Sequence, residues 1–424
     1  MSDFDSVDYF SDQCLVPNPY PYFDYLRSKY PVSRESPYGV MAVTGHKEAC
    51  TVYKEAAFSA CVSVAAPFAG VSFESDSDDI GELIEQHRDK IPMSEHIVTQ
   101  DPPDHTRTRG LLSRLLTPKR LKENEDFMWR LADQQLDTFV DRGSCEFLED
   151  YARPFSTLVI ADLLGVPEKD HEELREAMTN ETVGALDDDS PTHNPLVWLD
   201  DTFSSYVIDR RREPRDDVLT GLALAKYPDG STPQVIDVVH LATFVFSAGQ
   251  ETTTKVLSAG MRVLAERPDI QSLLREDRSR IPAFLEETLR MESPVKSHFR
   301  LARQSTTVGD VPIAAGTTMM LLPGACNRDP AKFDEPHEFR IDRPNVREHV
   351  AFGRGSHSCP GAPLARAEGR ISLNRILDRM SDIKISEASH GSAGGYSYDY
   401  EPTFILRGLT ELHLEYTPTP DQSP

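Results

Sequence analysis

The chain has 424 residues, of which 69 are acidic and 45 basic, for a net charge of −24, and 39% are apolar. That balance excludes nucleic acid and an anionic membrane surface as partners, because both need a basic footprint. The apolar share argues against a disordered chain.

The opening residues, MSDFDSVDYF, are acidic and have no apolar stretch, unlike a signal peptide. No run of about 18 apolar residues offers a membrane span. Residues 39–44 read as a strand, with a short helix following through Lys54. Residues 62–95 read as a long loop with one or two short helices. From Asp104 to about Arg212 the pattern is helical, with Pro118 and Pro154 at helix starts and a polar turn at 187–195. Residues 233–266 form one long helix, whose small and apolar positions Val238, Ala242, Val245, Gly249, Thr252 and Val256 step by three or four. Helices near Pro268 and Pro282 come next, then β-branched runs around Gly309 and Gly316 that suggest a hairpin or small sheet. A helix covers 362–380, and residues 396–416 alternate like strands. The reading is mainly α with small β-sheets. A single domain is expected over 1–424, with 1–15 and 417–424 as loose termini, because the residues of one site are spread from 105 to 361.

Six cysteines, Cys14, Cys50, Cys61, Cys145, Cys326 and Cys359, are widely spaced and form no CxxC pair. Reduced thiols of a cytoplasmic protein are expected, not a disulfide framework. Cys359 differs from the rest by its setting. Residues 352–361 read FGRGSHSCPG, a glycine-rich turn that presents one thiol just before a helix. A helix N-terminus favours thiolate, and backbone N–H groups aimed at sulfur tune its electron donation. Taken alone, such a turn most often holds an ordinary buried cysteine. Zinc would need a second Cys/His pair beside His357 and Cys359, and none lies nearby.

On the long helix, residues 248–252 read AGQET. Gly249 lacks a Cβ, so a flat cofactor can pass close to the helix. Thr252 offers a hydroxyl and Glu251 an adjacent acid, the pair needed to deliver protons. By itself the motif also fits a packing spot beside a surface glutamate. Glu287 and Arg290 share one helix face at i,i+3 spacing.

The ten-residue cysteine run resembles the haem-binding loop of cytochrome P450s, FGxGxHxCxG, with every fixed position filled. The AGQET run resembles that family's oxygen-activation motif, and Glu287-Thr-Leu-Arg290 its ExxR pair. The resemblance implies a triangular helical prism around a buried haem b, with Cys359 as the axial thiolate and O2 as co-substrate. Ala248, Gly249, Phe352 and Gly361 would lie against the cofactor. His105, Arg109, Arg300 and His357 match family positions that face the haem propionates. Glu287 and Arg290 would hold the cysteine loop in place. One departure is clear: Glu338 stands where the family usually has an arginine. His337, Arg340 or Arg343 is expected to replace that third arm.

By resemblance the reaction is R–H + O2 + 2 e⁻ + 2 H⁺ → R–OH + H2O, with Thr252 and Glu251 managing the protons. The chain has no flavin or iron–sulfur motif, so electrons are expected from a ferredoxin and an NAD(P)H-dependent ferredoxin reductase. The ferredoxin would meet the proximal face, where residues 107–122 carry six basic residues and no acid, alongside Arg354, Arg366 and Arg370. The substrate is expected to be small and hydrophobic: terpenoid, steroid or fatty-acid-like. Its pocket would include Phe68, Phe73, Val183, Phe244, Val295, Lys296 and Phe404. Lys296, if it lines the pocket, favours an anionic or carbonyl-bearing compound. A monomer is expected. The competing readings are a haem-thiolate ligand-binding or sensing protein without oxygen chemistry, and a peroxide-driven enzyme. The intact acid–alcohol pair argues against both.

Overall fold

The computed structural model describes residues 4–35, 38–62, 77–112, 116–171, 197–227 and 229–420. Phe68, Phe73, Val183, Arg114 and the polar turn at 187–195 lie outside the described residues.

The longer helices are α1 Tyr20–Lys29, α2 His46–Lys54, α3 Asp104–Leu112, α4 Pro118–Asp137, α5 Arg153–Leu164, α6 Val197–Arg212, α7 Val235–Glu266, α8 Pro268–Glu276, α9 Ile281–Met291 and α10 Ala362–Arg379. Helix α7 is the axle. Its 32 residues start at a reciprocal capping box, in which the Gln234 side chain accepts from the backbone N–H of Asp237 and the Asp237 carboxylate accepts from that of Gln234. From Val238 to Ala265 most of its side chains are buried, because α5, α6 and α10 pack around it. Such a helix reads as apolar all round rather than on one stripe. Helix α4 starts at Pro118, where the missing N–H costs nothing, and is capped by Thr117, whose hydroxyl accepts from the Arg120 N–H. Helix α10 packs between α4 and α9.

The strands are β1 Val32–Glu35, β2 Val40–Val43, β3 Phe58–Ser59, β4 Ser144–Glu146, β5 His298–Ala302, β6 Thr306–Val308, β7 Val311–Ile313, β8 Thr318–Leu321, β9 Met380–Ile385 and β10 His413–Pro418. They form a five-stranded sheet in the order β1-β2-β8-β5-β3, a three-stranded sheet β4-β10-β9 and the β6–β7 hairpin. The larger sheet is mixed: β2 runs parallel to β8 (Met41 opposite Met319), while β5 is antiparallel to β8 (Arg300 opposite Met319). Of the tail expected to alternate as strands, only β10 is a full strand. Residues upstream contribute the single bridges Val295–Leu406 and Tyr400–Leu409.

The expected loose termini are corrected by packing. Tyr9 and Phe10 are buried against Phe23, Phe299 and Phe404, with the Phe10 and Phe404 rings edge to face at 5.4 Å. At the other end Thr417 and Pro418 belong to β10, and Thr419 N–H donates to the Arg379 carbonyl. The signal was present in the opening residues, whose aromatics Phe4, Tyr9 and Phe10 have no reason to sit in a solvated tail. Among the described residues no helix is long and apolar enough to cross a membrane.

Candidate active site

Cys359 leaves the glycine-rich turn just before α10. Its own N–H donates to the Phe352 carbonyl at 2.8 Å, which closes the loop. Gly353 and Gly355 carry φ of +62° and +71°, the left-handed region open to glycine. At Gly355 a Cβ would also lie 2.3 Å from the Tyr53 carbonyl oxygen. The Cys359 side chain is exposed, yet protein surrounds it closely enough that burial raises its thiol pKa. A side chain both exposed and desolvated faces a concavity. The backbone N–H groups of Gly361 and Ala362 and the Arg109 charge oppose that rise and favour thiolate.

Around the same concavity stand four cationic or donor groups. Arg109, from α3, donates to the Ser358 carbonyl at 2.6 Å. The His105 and His357 rings lie 4.0 Å apart. Both Nε2 atoms are buried without a hydrogen-bond partner. Burial first, then the neighbouring Arg109 and Arg300 charges, push both imidazoles below their ordinary pKa. Arg300, on β5, is itself desolvated, and its guanidinium donates to the adjacent Phe299 carbonyl. The nearby acid, Asp101, is engaged with Ser59 and the Ala60 N–H. Four donors converging, with no carboxylate hydrogen-bonded to any of them among the described residues, fit an anionic group. With a cysteine sulfur fed by two amides beside them, the set fits haem and its two propionates.

Helix α7 supplies the opposite wall. Ala248 is exposed although it sits at mid-helix in the core. Thr252 Oγ1 donates to the Ala248 carbonyl at 2.8 Å, so its lone pairs are free to accept. At Gly249 a Cβ would lie 3.1 Å from Ile160 Cδ1, so its smallness also serves the contact of α7 with α5. Glu251 is not a lone surface acid: its carboxylate is 3.0 Å from Lys255 Nζ. One residue past Thr252, Thr253 Oγ1 donates to Glu368 Oε2 at 3.0 Å, bolting α7 to the helix that follows Cys359. Burial raises the Glu368 carboxyl to about 8. Neither Glu368 nor Lys255 was singled out by any local pattern.

Beneath the cysteine loop, Glu287 and Arg290 form a fully buried bidentate pair, with nitrogen–oxygen distances of 2.8 and 2.7 Å. The third arm is Arg343, whose Nε lies 3.2 Å from both Glu287 oxygens. His337 pairs instead with Asp24, and the Arg340 side chain with Glu335. Phe352, which opens the loop, packs against Val256 and Leu289, with the Arg366 guanidinium 4.7 Å over its ring.

Of the expected pocket residues, Phe244 is half-buried 6.0 Å from the His96 ring, and Val295 is half-buried beside Leu406. Phe404 is buried in the aromatic cluster with Phe10 and Phe299. Lys296 is buried and its ammonium makes no hydrogen bond or ion pair among the described residues. Burial and the Arg407 charge lower it to about 7, with Glu401 opposing. Its electrostatic neighbours thus belong to the charge cluster behind α7.

The cytochrome P450 family model matches residues 199–382. Cytochrome P450 144 of Mycobacterium tuberculosis is 34% identical over 325 residues, covering 75% of this chain and 72% of that protein. The chain belongs to the cytochrome P450 family. The substrate-free structure of the P450 CYP150A6 from Mycobacterium marinum is similar with a TM-score of 0.91 and 62% identity, over 98% of this chain and 99% of that one. CYP109E1 of Bacillus megaterium, in complex with testosterone, is similar with a TM-score of 0.77 and 26% identity, over 94% and 99%. This P450 has the helical-prism fold expected of it. As a P450 it is a monooxygenase that uses O2 at a haem held by a cysteine thiolate, and takes a small substrate and a redox partner. A sensing protein without oxygen chemistry is set aside.

Proposed function

We propose that this P450 hydroxylates a small hydrophobic molecule, terpenoid, steroid or fatty-acid-like, and receives electrons from a ferredoxin and its NAD(P)H-dependent reductase. Cys359 is the axial thiolate. Arg109, Arg300, His105 and His357 hold the propionates, while Ala248, Phe352 and Gly361 lie against the ring. The observation that carries this reading is the convergence of Cys359, supplied with two amide donors, and four donors that lack a carboxylate among the described residues.

The haem supplies the oxygen chemistry, and the chain supplies the rest. Thr252 donates its own proton to the Ala248 carbonyl and so presents an acceptor to the reacting side. Glu251 is the adjacent acid, held by Lys255. Glu287, Arg290 and Arg343 fix the meander under the cysteine loop. The hydrophobic substrate class is supported by Phe244 and Val295, and by the steroid bound in the relative named above. A single domain is supported by one continuous core that runs from Met93 to Tyr416. The acidic charge favours a monomer, and the six free cysteines favour the cytoplasm.

The test has three arms. Cys359→Ser must abolish the red-shifted Soret band of the reduced CO complex, and an intact band refutes the ligand. Thr252→Ala must keep haem and NAD(P)H consumption while product falls and hydrogen peroxide rises. Full coupling in both Thr252→Ala and Glu251→Gln would place proton delivery elsewhere. Optical titration with terpenoids, steroids and fatty acids, followed by product analysis, decides the substrate class.

A further inference from the structure

Lys255 is a buried charge one turn beyond the acid–alcohol pair. Its side chain is 4% exposed, and its ammonium is shared between two carboxylates: Glu251 at 3.0 Å, one turn earlier on α7, and Glu401 at 2.9 Å, from the C-terminal hairpin. The position is built. Burial alone would lower the lysine pKa, but Glu251 and Glu401 together raise it, so the ammonium stays charged. Its stem runs against the backbone of Gly408, where a Cβ would lie 2.6 Å from Lys255 Cγ and 2.9 Å from Cε. A side chain at 408 would force the lysine stem to shift.

Glu401 is equally fixed. Its N–H donates to the Gly408 carbonyl at 3.0 Å, and Thr403 N–H donates to its own carbonyl at 2.9 Å. The hairpin is anchored further by Arg407 N–H on the Pro294 carbonyl and by Lys296 N–H on the Ile405 carbonyl. The charged groups around Lys255 are thus Glu251 on its own helix and Glu401 on the hairpin. Beyond Glu401, Lys296 feels both that carboxylate and Arg407, which is itself paired with Glu292.

Two partners matter because of what proton transfer demands. To carry a proton, the Glu251 carboxylate must lose its charge and with it most of its hold on Lys255. A buried ammonium that lost its sole counterion would be left uncompensated, which is strongly unfavourable. Glu401 removes that obstacle, since it keeps Lys255 paired while Glu251 is neutral.

Resting on the reading that Glu251 and Thr252 deliver the protons, we infer that Lys255 is a positioning residue which holds Glu251 between proton transfers, and that Glu401 is the counterion that allows it to let go. The two residues therefore act on Glu251 with opposite sign. Removing the ammonium makes Glu251 easier to protonate. Removing the Glu401 charge commits Lys255 to Glu251 and makes protonation harder.

The test uses the holoenzyme with CO as probe. The stretching frequency of CO on the reduced protein is followed against pH, because it senses charge on the adjacent stretch of α7. Wild type is expected to show one titration step that Glu251→Gln abolishes. Lys255→Met should move the step to higher pH, because a neighbouring cation favours the ionised carboxylate. Glu401→Gln should move it to lower pH, and Lys255→Arg should restore the wild-type position. The double variant Lys255→Met/Glu401→Gln guards against misfolding, because it removes one charge of each sign; its step should also lie above that of wild type. Shifts of the same sign in the two single variants, no shift in either, or a step that survives Glu251→Gln overturns the inference. Peroxide and product per NADH are measured in parallel, with the compound that gives the largest optical shift. If Glu251→Gln leaves that ratio unchanged, the proton-delivery reading itself falls. If Glu251→Gln alters the ratio while the Lys255 and Glu401 variants leave the step in place, only the present inference falls.

Discussion

Arg343 approaches both carboxylate oxygens of Glu287 with its Nε at 3.2 Å, while its other nitrogens reach the carbonyls of Asp334, Glu335 and Glu338. Glu338 thus contributes a backbone carbonyl to the place where the family usually has an arginine side chain. Arg290 donates to that same carbonyl at 3.0 Å. Two buried guanidiniums and one carboxylate leave a net positive charge, and the carbonyls of Asn327 and Pro336, which take the remaining Arg290 N–H groups, absorb it.

Arg343→Ala should cost about 3–5 kcal/mol, the range for breaking a buried ion pair. Much of the purified protein should then lack haem, because the meander no longer holds the loop from beneath. His337→Ala and Arg340→Ala, whose pairs are partly exposed, should each cost less than about 1 kcal/mol. Thermal melts and the haem-to-protein absorbance ratio of the three variants check the assignment.

Gly249→Ala should destabilise the protein by about 1–3 kcal/mol through overpacking on Ile160. If the glycine serves helix contact, adding Ile160→Val should recover part of the loss. If it served the cofactor instead, the second change would not help, and the Soret maximum would move. Melting temperature and absorbance spectrum distinguish the two.

Glu368 gives a pH dependence with a definite sign. Its carboxyl is raised from 4.5 to about 8 by burial, so the folded protein holds a proton that the unfolded chain loses. That contribution to stability is fully present below about pH 4.5 and is lost as pH rises through about 8. Glu368→Gln keeps a neutral partner for Thr253. It should match wild type in thermal melts at pH 5 and exceed it at pH 8.5. Equal pH slopes for the two proteins would mean that the carboxyl is ionised in the fold.

The proximal basic face is less free than its sequence suggests. Lys119 pairs with Glu123, Lys122 with Glu125, and Arg370 with Glu125 at 3.0 Å. Arg366 forks onto the buried Glu286. Burial would raise that carboxyl, but hydrogen bonds from His349 and Arg366 hold it at about 2. Arg366→Glu should therefore damage the haem loop, visible as a weakened CO band, and says nothing about docking. Lys119→Glu with Arg120→Glu should slow reduction by ferredoxin roughly tenfold at low salt, and less at 0.15 M. Dithionite reduction should be unaffected. An unchanged ferredoxin rate at low salt would move the docking face elsewhere.

What could be read in advance follows from how local each constraint is. Gly353 and Gly355 had to be glycine because of their own φ angles, so the cysteine loop announces itself in ten residues. The long helix was legible because its burial repeats every three or four residues. Arg343 was one of three candidates, since the turns between Pro336 and Arg343 follow no period that says which side chain returns to Glu287. Gly249 was recognisable as a small position, but a sequence does not name the neighbour that requires smallness, here Ile160. Glu401 lies 146 residues beyond Lys255, and nothing local to either predicts that they meet. Phe404 meets Phe10 across almost the whole chain, and nothing local to either predicts that contact.

The aromatic cluster also has a consequence for biosynthesis. Tyr9 hydrogen-bonds the Phe404 carbonyl across 395 positions, and Arg407 reaches back to the carbonyls of Val16 and Pro17. At a translation rate of about 5–20 residues per second, Tyr9, Phe10 and Phe23 wait roughly 20–80 s for their last partners to leave the ribosome. Through that interval their apolar side chains lack the partners that cover them in the fold. A message cut short before codon 404 would yield a chain with those side chains permanently uncovered, fated for aggregation or proteolysis.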